Sequence, residues 1–125
     1  MEEQNVARRL AAILAADVVG YSRLMEIDET GTLARLKTIR LELIDPAIVR
    51  CKGRIIKTTG DGMLVEFQSV TEALRCAVDF QRRMAQRNQD LSSSRSLLYR
   101  IGLNLGDVIV EDSDIPDYHR HSARY

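Results

Sequence analysis

The sequence predicts an α/β chain of the α+β sandwich kind, with helices covering a sheet that contains an antiparallel hairpin. Gly53 to Phe67 (GRIIKTTGDGMLVEF) reads as two short β-branched-rich strands joined by a Gly-Asp-Gly turn, which is a hairpin signal. Helical patterns stand on both sides of that hairpin. Apolar runs of strand length, Leu10 to Val19 and Leu97 to Leu105, open and close the pattern. The expected order is strand, helix, strand, strand, helix, strand, strand, which is not that of a doubly wound parallel sheet.

Each element has a local cause. Leu10 to Val19 (LAAILAADVV) ends at Gly20-Tyr21-Ser22, and the glycine break favours a buried strand over a helix. From Thr30 a helical stripe runs through Leu33, Leu36, Ile39, Leu43, Ala47 and Ile48. Pro46 is expected to kink or restart that helix, because proline lacks the backbone donor and clashes with the preceding turn. Gly53 ends it. Ser69-Val70-Thr71-Glu72 is a capping box, so a second helix starts there, with Val70, Ala73, Leu74, Ala77, Val78, Met84 and Ala85 as its apolar face. Asn88 to Ser96 is polar and serine-rich, hence a loop. Leu97 to Leu105 alternates as a strand, Gly106-Asp107 suggests a turn, and Val108-Ile109-Val110 a further strand. Asp112 to Tyr125 has no apolar period and reads as an irregular tail.

Composition bounds the function. A chain of 125 residues, 45% apolar and 29% charged, suits one globular domain with its own core. A net charge of zero gives no support for nonspecific nucleic-acid binding, which needs a basic surface. Cys51 and Cys76 fit no metal or redox spacing and read as buried or half-buried reduced thiols. No apolar run approaches the ~18 residues of a membrane span, and the start lacks a basic signal-peptide region, so the cytoplasm is the expected location.

The residues that can carry chemistry are two carboxylates and a lysine. Asp17 ends an apolar strand, and Asp61 stands on the hairpin turn between two glycines. If the first strand lies beside the hairpin, the two carboxylates converge and repel unless a divalent cation lies between them. Hard oxygen donors of this kind suit Mg²⁺ or Mn²⁺. Val18 to Ser22 forms a turn whose backbone N–H groups can cradle phosphate. Lys57, in an otherwise apolar or hydroxylic strand, calls for a polar partner. Together these point to phosphoryl or nucleotidyl transfer, although solvated aspartates at turns and strand ends are common structural features as well.

ILAADVVGYSRLM around Asp17, the hairpin GRIIKTTGDGMLVEF and the strand RIGLNLGDVIV together resemble the class III adenylate/guanylate cyclase catalytic domain, most closely its bacterial branch. The resemblance spans about residues 8–111, in the family's order and spacing, and implies its ferredoxin-like fold. It implies that Asp17 and Asp61 bind two Mg²⁺ or Mn²⁺ ions, with the Val18 carbonyl as a backbone ligand. It implies that Gly20, Tyr21 and Ser22 hold the phosphates through backbone amides, and that Lys57 selects adenine, hence ATP over GTP. The implied reaction makes cyclic AMP and pyrophosphate at a site shared across a dimer.

The family continues with an asparagine- and arginine-bearing helix that Pro116 to Tyr125 does not match, so the resemblance describes a partial domain, 8–111, followed by the tail 112–125. Arg120 and Arg124 are not expected to replace the missing arginine, because proline and histidine interrupt a helix there, and His119 with His121 reads as a solvated tail rather than a metal site. A truncated, non-catalytic fragment that binds nucleotide weakly or pairs with a complete cyclase is therefore the second expectation. An unrelated palm-type nucleotidyl transferase is a third, against which the Lys57 spacing argues.

Overall fold

β1 (Ala7–Val18) is the middle strand of a five-stranded sheet with β2 (Arg54–Thr58), β3 (Met63–Phe67), β4 (Tyr99–Val110) and β5 (Pro116–His121), in the order β2-β3-β1-β4-β5. Every neighbouring pair is antiparallel. The computed structural model describes residues 7–92, 95–110 and 116–121. β1 pairs with β4 from Ala7↔Val110 to Val18↔Tyr99, and with β3 from Ala12↔Phe67 to Ala16↔Met63. Because successive side chains in a strand point to opposite faces, β1 divides its residues between two environments. Ala12, Leu14 and Val18 lie in the core beneath the helices, whereas Ala11 and Ile13 pack with Ile56 and Leu64 on the other face.

Four helices cover one face: α1 (Tyr21–Ile27), α2 (Glu29–Ile39), α3 (Asp45–Arg50) and α4 (Val70–Asn88). The expected helix from Thr30 begins one residue earlier, capped by Asp28, whose carboxylate accepts from the Gly31 N–H at 3.0 Å. It breaks where proline demands. A π-helical turn, Arg40–Ile44, widens the backbone just before Pro46, which then occupies the first turn of α3 where no donor is required. α3 ends in a Schellman arrangement, with the Gly53 N–H on the Ile48 carbonyl and the Lys52 N–H on that of Val49. Lys52 holds the left-handed position there, at φ 59°.

α4 starts as the capping box predicts: the Ser69 hydroxyl accepts from the Glu72 N–H at 3.1 Å. Its buried stripe is Ala73, Cys76, Ala77, Phe80 and Met84. That corrects the expected face, since Val70, Leu74, Val78 and Ala85 are exposed. Small residues face the sheet because α4 lies close to it, and Phe80 fills the gap edge-to-face with Tyr99, ring centroids 5.0 Å apart. Both cysteines are buried and free.

Two expectations at the chain's end are overturned. Gly106-Asp107 is not a turn: β4 runs unbroken through it, with Gly106 opposite Ala11 and Asp107 opposite Leu10. A twelve-residue ladder with β1 outweighs the local turn preference of one Gly-Asp pair. Residues 116–121, read as part of an irregular tail, form β5 against the outer edge of β4, from Leu105↔His121 to Val110↔Pro116. An edge strand needs main-chain partners rather than an apolar period, and it tolerates proline at its first position. The rest of that tail, 112–115 and 122–125, lies outside the described residues.

Candidate active site

The hairpin tip and the end of β1 meet. Thr59 and Gly62 close the turn through the Thr59 N–H on the Gly62 carbonyl, 2.8 Å, and the Gly62 N–H on the Thr59 hydroxyl, 3.1 Å. This places Asp61 so that its Oδ2 accepts from the Val18 N–H at 3.3 Å. Gly62 is seated against β1. A Cβ there would stand 2.9 Å from the Ala16 carbonyl oxygen and 3.5 Å from the Asp17 Cβ, so the tip approaches this closely only with glycine. Asp61, 43 positions beyond Val18, is thereby brought against the end of β1 at Asp17 and Val18.

The turn after β1 is also shaped by its residues. Gly20 takes φ 69°, a left-handed conformation costly for a side-chain-bearing residue, and starts α1. No side chain caps α1 at Gly20, so its first N–H groups are open to an acceptor. The Tyr21 ring packs into the core cluster of Val18 and Phe80, leaving main-chain groups as its contribution to this turn. Its hydroxyl lies against Gly60, whose hypothetical Cβ would stand 3.1 Å from it, which fastens α1 to the hairpin. Ser22 is exposed.

Lys57 is placed differently. A bulge between Ile55 and Lys57 sets it opposite Leu64, on the face away from the helices. It is exposed and, among the described residues, makes no ion pair, so the expected polar partner is not found. Asp17 points by strand alternation to the same open face, where the Arg100 Nε donates to its Oδ1 at 3.0 Å. Arg100 is the site residue that the sequence reading passed over. Its signal is the register Asp17↔Arg100, which exists only once β1 and β4 are paired. On the helix side, Asp61 and Tyr99 border a cleft of about 260 Å³ that Lys37 and Arg40 also line. Burial first, and the Asp61 charge second, push the Tyr99 hydroxyl up to about 12, so it stays protonated at neutral pH.

The donor set fits a hard divalent cation: two carboxylates and the main-chain oxygen of Val18, all oxygen ligands at one end of the sheet. Among the described residues no group of three or more His, Cys, Asp or Glu side chains is gathered as a metal site, here or elsewhere.

Comparison with known proteins agrees with this geometry. Residues 4–116 match the family model described as the adenylate and guanylate cyclase catalytic domain. A Rhizobium meliloti (strain 1021) protein named "Putative adenylate cyclase 3" is 50% identical over 115 residues, which cover 92% of this chain and 20% of that protein. The crystal structure of an adenylate/guanylate cyclase/hydrolase from Silicibacter pomeroyi superposes with a TM-score of 0.80 at 53% identity, over 92% of this chain and 65% of the other. The guanylyl cyclase Cya2 is similar at 25% identity and a TM-score of 0.67, covering 94% of this chain and 66% of its own. The chain therefore spans about a fifth of the length of the curated relative and about two thirds of these solved structures.

Proposed function

The chain belongs to the adenylate and guanylate cyclase catalytic domain family, and from that premise we propose that its site takes ATP and forms cyclic AMP and pyrophosphate in intracellular signalling. Asp17, Asp61 and the Val18 carbonyl would hold the two Mg²⁺ or Mn²⁺ ions. When bound, these supply charge neutralisation and activation of an oxygen nucleophile. The chain's own residues do the positioning. The open N–H groups at Gly20, Tyr21 and Ser22 receive phosphate oxygens. The hairpin turn sets Asp61 at the end of β1, and Arg100 occupies Asp17 until a cation takes its place. Lys57 reads the purine and favours adenine.

The observation that supports this reading is the 3.3 Å hydrogen bond from the Val18 N–H to Asp61, which sets the Asp61 carboxylate beside the residue that follows Asp17. Lys57 on β2 and Asp17 on β1 are separated by β3, and Lys57 is exposed and forms no ion pair among the described residues. Such a lysine suits a site completed by a second copy of the chain or by another cyclase domain.

The test is cyclic AMP formation by the purified chain with Mn²⁺, beside Asp61→Ala, with Mn²⁺ binding followed by electron paramagnetic resonance. Loss of a charge-stabilising group of this kind costs about 10²–10³ in rate. Activity that falls by that factor, together with weakened Mn²⁺ binding, supports the reading. Activity unchanged in Asp61→Ala overturns it. The second reading, a non-catalytic partner that binds nucleotide weakly or dimerises with a complete cyclase, predicts Mn²⁺ and ATP binding without turnover in either protein.

A further inference from the structure

A cleft of about 900 Å³ opens on the far side of the β1–α1 turn, between α1, α2 and the segment that precedes β4. Arg23, Arg35 and Arg95 line it, as do Asp28 and the apolar Ile27 and Leu98. Arg35 and Arg95 also line an adjoining cavity of about 210 Å³ with Arg87 and Asn88. This is a concentration of positive charge with few neutralising partners. Arg87 is paired with Glu42 at 2.6 Å, and Asp28 caps α2. Among the described residues, Arg23, Arg35 and Arg95 form no ion pair.

Arg35 is more than a solvated surface charge. Its Nε is buried and has no hydrogen-bond partner, although buried polar groups are nearly always satisfied and one left over needs an explanation. The guanidinium is held in place from one end. An Arg35 terminal nitrogen donates a long bond, 3.4 Å, to the hydroxyl of fully buried Thr32, which in turn donates to the Leu24 carbonyl of α1 at 3.1 Å. A planar guanidinium anchored through Thr32 to α1, with two further arginines lining the same cleft, is arranged to receive an oxyanion.

We propose that this cleft is a second anion site, separate from the metal-binding carboxylates, which takes a phosphomonoester: the phosphate on Arg35, Arg95 and Arg23, its apolar body against Ile27 and Leu98. The size suits a small organic molecule rather than a bare ion. Because Val19 and Gly20 form part of its wall, occupancy there bears on the turn that would hold the substrate phosphates. The inference does not depend on the cyclase reading, since it rests on different residues.

The test uses the full chain without divalent metal, titrated with phenyl phosphate and with inorganic phosphate by calorimetry, while the Arg35 Nε–H resonance is followed by NMR. Saturable binding is expected, tighter for phenyl phosphate, with the Arg35 Nε–H resonance shifting on addition. Arg35→Met should weaken binding by about tenfold, as for loss of a charge-assisted hydrogen bond. Arg35→Lys should recover part of it, and Asp61→Ala should leave it unchanged. Circular dichroism checks that each variant is folded; Arg95→Gln, on an exposed side chain, replaces Arg35→Met should that variant unfold. Wild-type binding that fails to saturate, an Arg35→Met titration like wild type, or binding abolished by Asp61→Ala would each overturn the proposal.

Discussion

The two faces of the sheet are made from alternate residues of the same strands, yet they have opposite characters. On the helix face, Ala12, Leu14, Val65 and Phe67 join Ala73, Cys76 and Ala77 in one apolar cluster. The open face carries Asp17 with Arg100, exposed Lys57, and Glu66, a carboxylate only 7% exposed that is held by both Arg9 and Arg54. Hydrophobic burial uses up one side of each strand and leaves the other free for charge. Period-two alternation, needed to build the core, thus also aligns Asp17 and Arg100 on one surface, and the bulge after Ile55 adds Lys57 to it. The catalytic expectation and the stability of the fold rest on different sets of residues, and substitutions should separate them.

The largest effect on stability is expected beneath the helices. Phe67→Ala should lower unfolding stability by about 3–5 kcal/mol, since it removes a fully buried aromatic side chain and leaves a cavity. Urea denaturation checks this, with the midpoint falling and the slope unchanged. A loss under about 1 kcal/mol would mean that the helix layer is not where the folding energy lies.

A second effect on the same face is set by pH. Burial first, then the adjacent Cys51, pushes the Cys76 thiol from its ordinary 9.0 up to about 12, and Tyr99 is raised from 10.0 to about 12. In both cases the folded state holds its proton more tightly than the unfolded chain does. Their contribution is therefore complete below about pH 9 and is lost as pH rises towards 12, each group costing at most about 1.4 kcal/mol per pH unit in that window. Melting temperature followed from pH 7 to 11 should fall, and Cys76→Ala should make the fall shallower. A Cys76→Ala curve parallel to wild type would assign the alkaline loss to other groups.

How much of this was legible in the sequence differs from element to element. Local signals sufficed where the cause is local. Ser69 caps α4, Pro46 restarts the helix as α3, and the Gly-Asp-Gly turn sets Asp61 on a hairpin tip. The family resemblance supplied the pairing of Asp17 with Asp61. Long-range pairing was not legible. Gly106 looks like a turn residue until Ala11 stands opposite it, and the segment from Pro116 is a strand only because β4 offers an edge. Arg100 acquires a role through register alone. Cys76 and Phe80 were missing from the expected face of α4 because the direction of a helix stripe depends on what the helix packs against.

The smallest effect, and the one that bears most directly on the open face, concerns Arg100. Its ion pair with Asp17 joins side chains that are 70% and 46% exposed, and pairs of that kind contribute about 0–1 kcal/mol to stability. Arg100→Gln should therefore leave the urea midpoint nearly unchanged. Metal binding is where it should show. The guanidinium lies 3.0 Å from an Asp17 oxygen, so it and a divalent cation compete for one carboxylate. Removing a unit charge about 4 Å away in a water-like medium is worth roughly 1 kcal/mol, a several-fold gain in Mn²⁺ affinity. That gain should shrink as ionic strength rises and screening sets in. Calorimetric Mn²⁺ titration at low and high salt decides the matter. A several-fold gain that salt erodes means that Arg100 guards the carboxylate until a cation takes its place. A loss of affinity would mean instead that Arg100 holds Asp17 in the orientation that the cation needs, and the open face would then be preorganised rather than merely available.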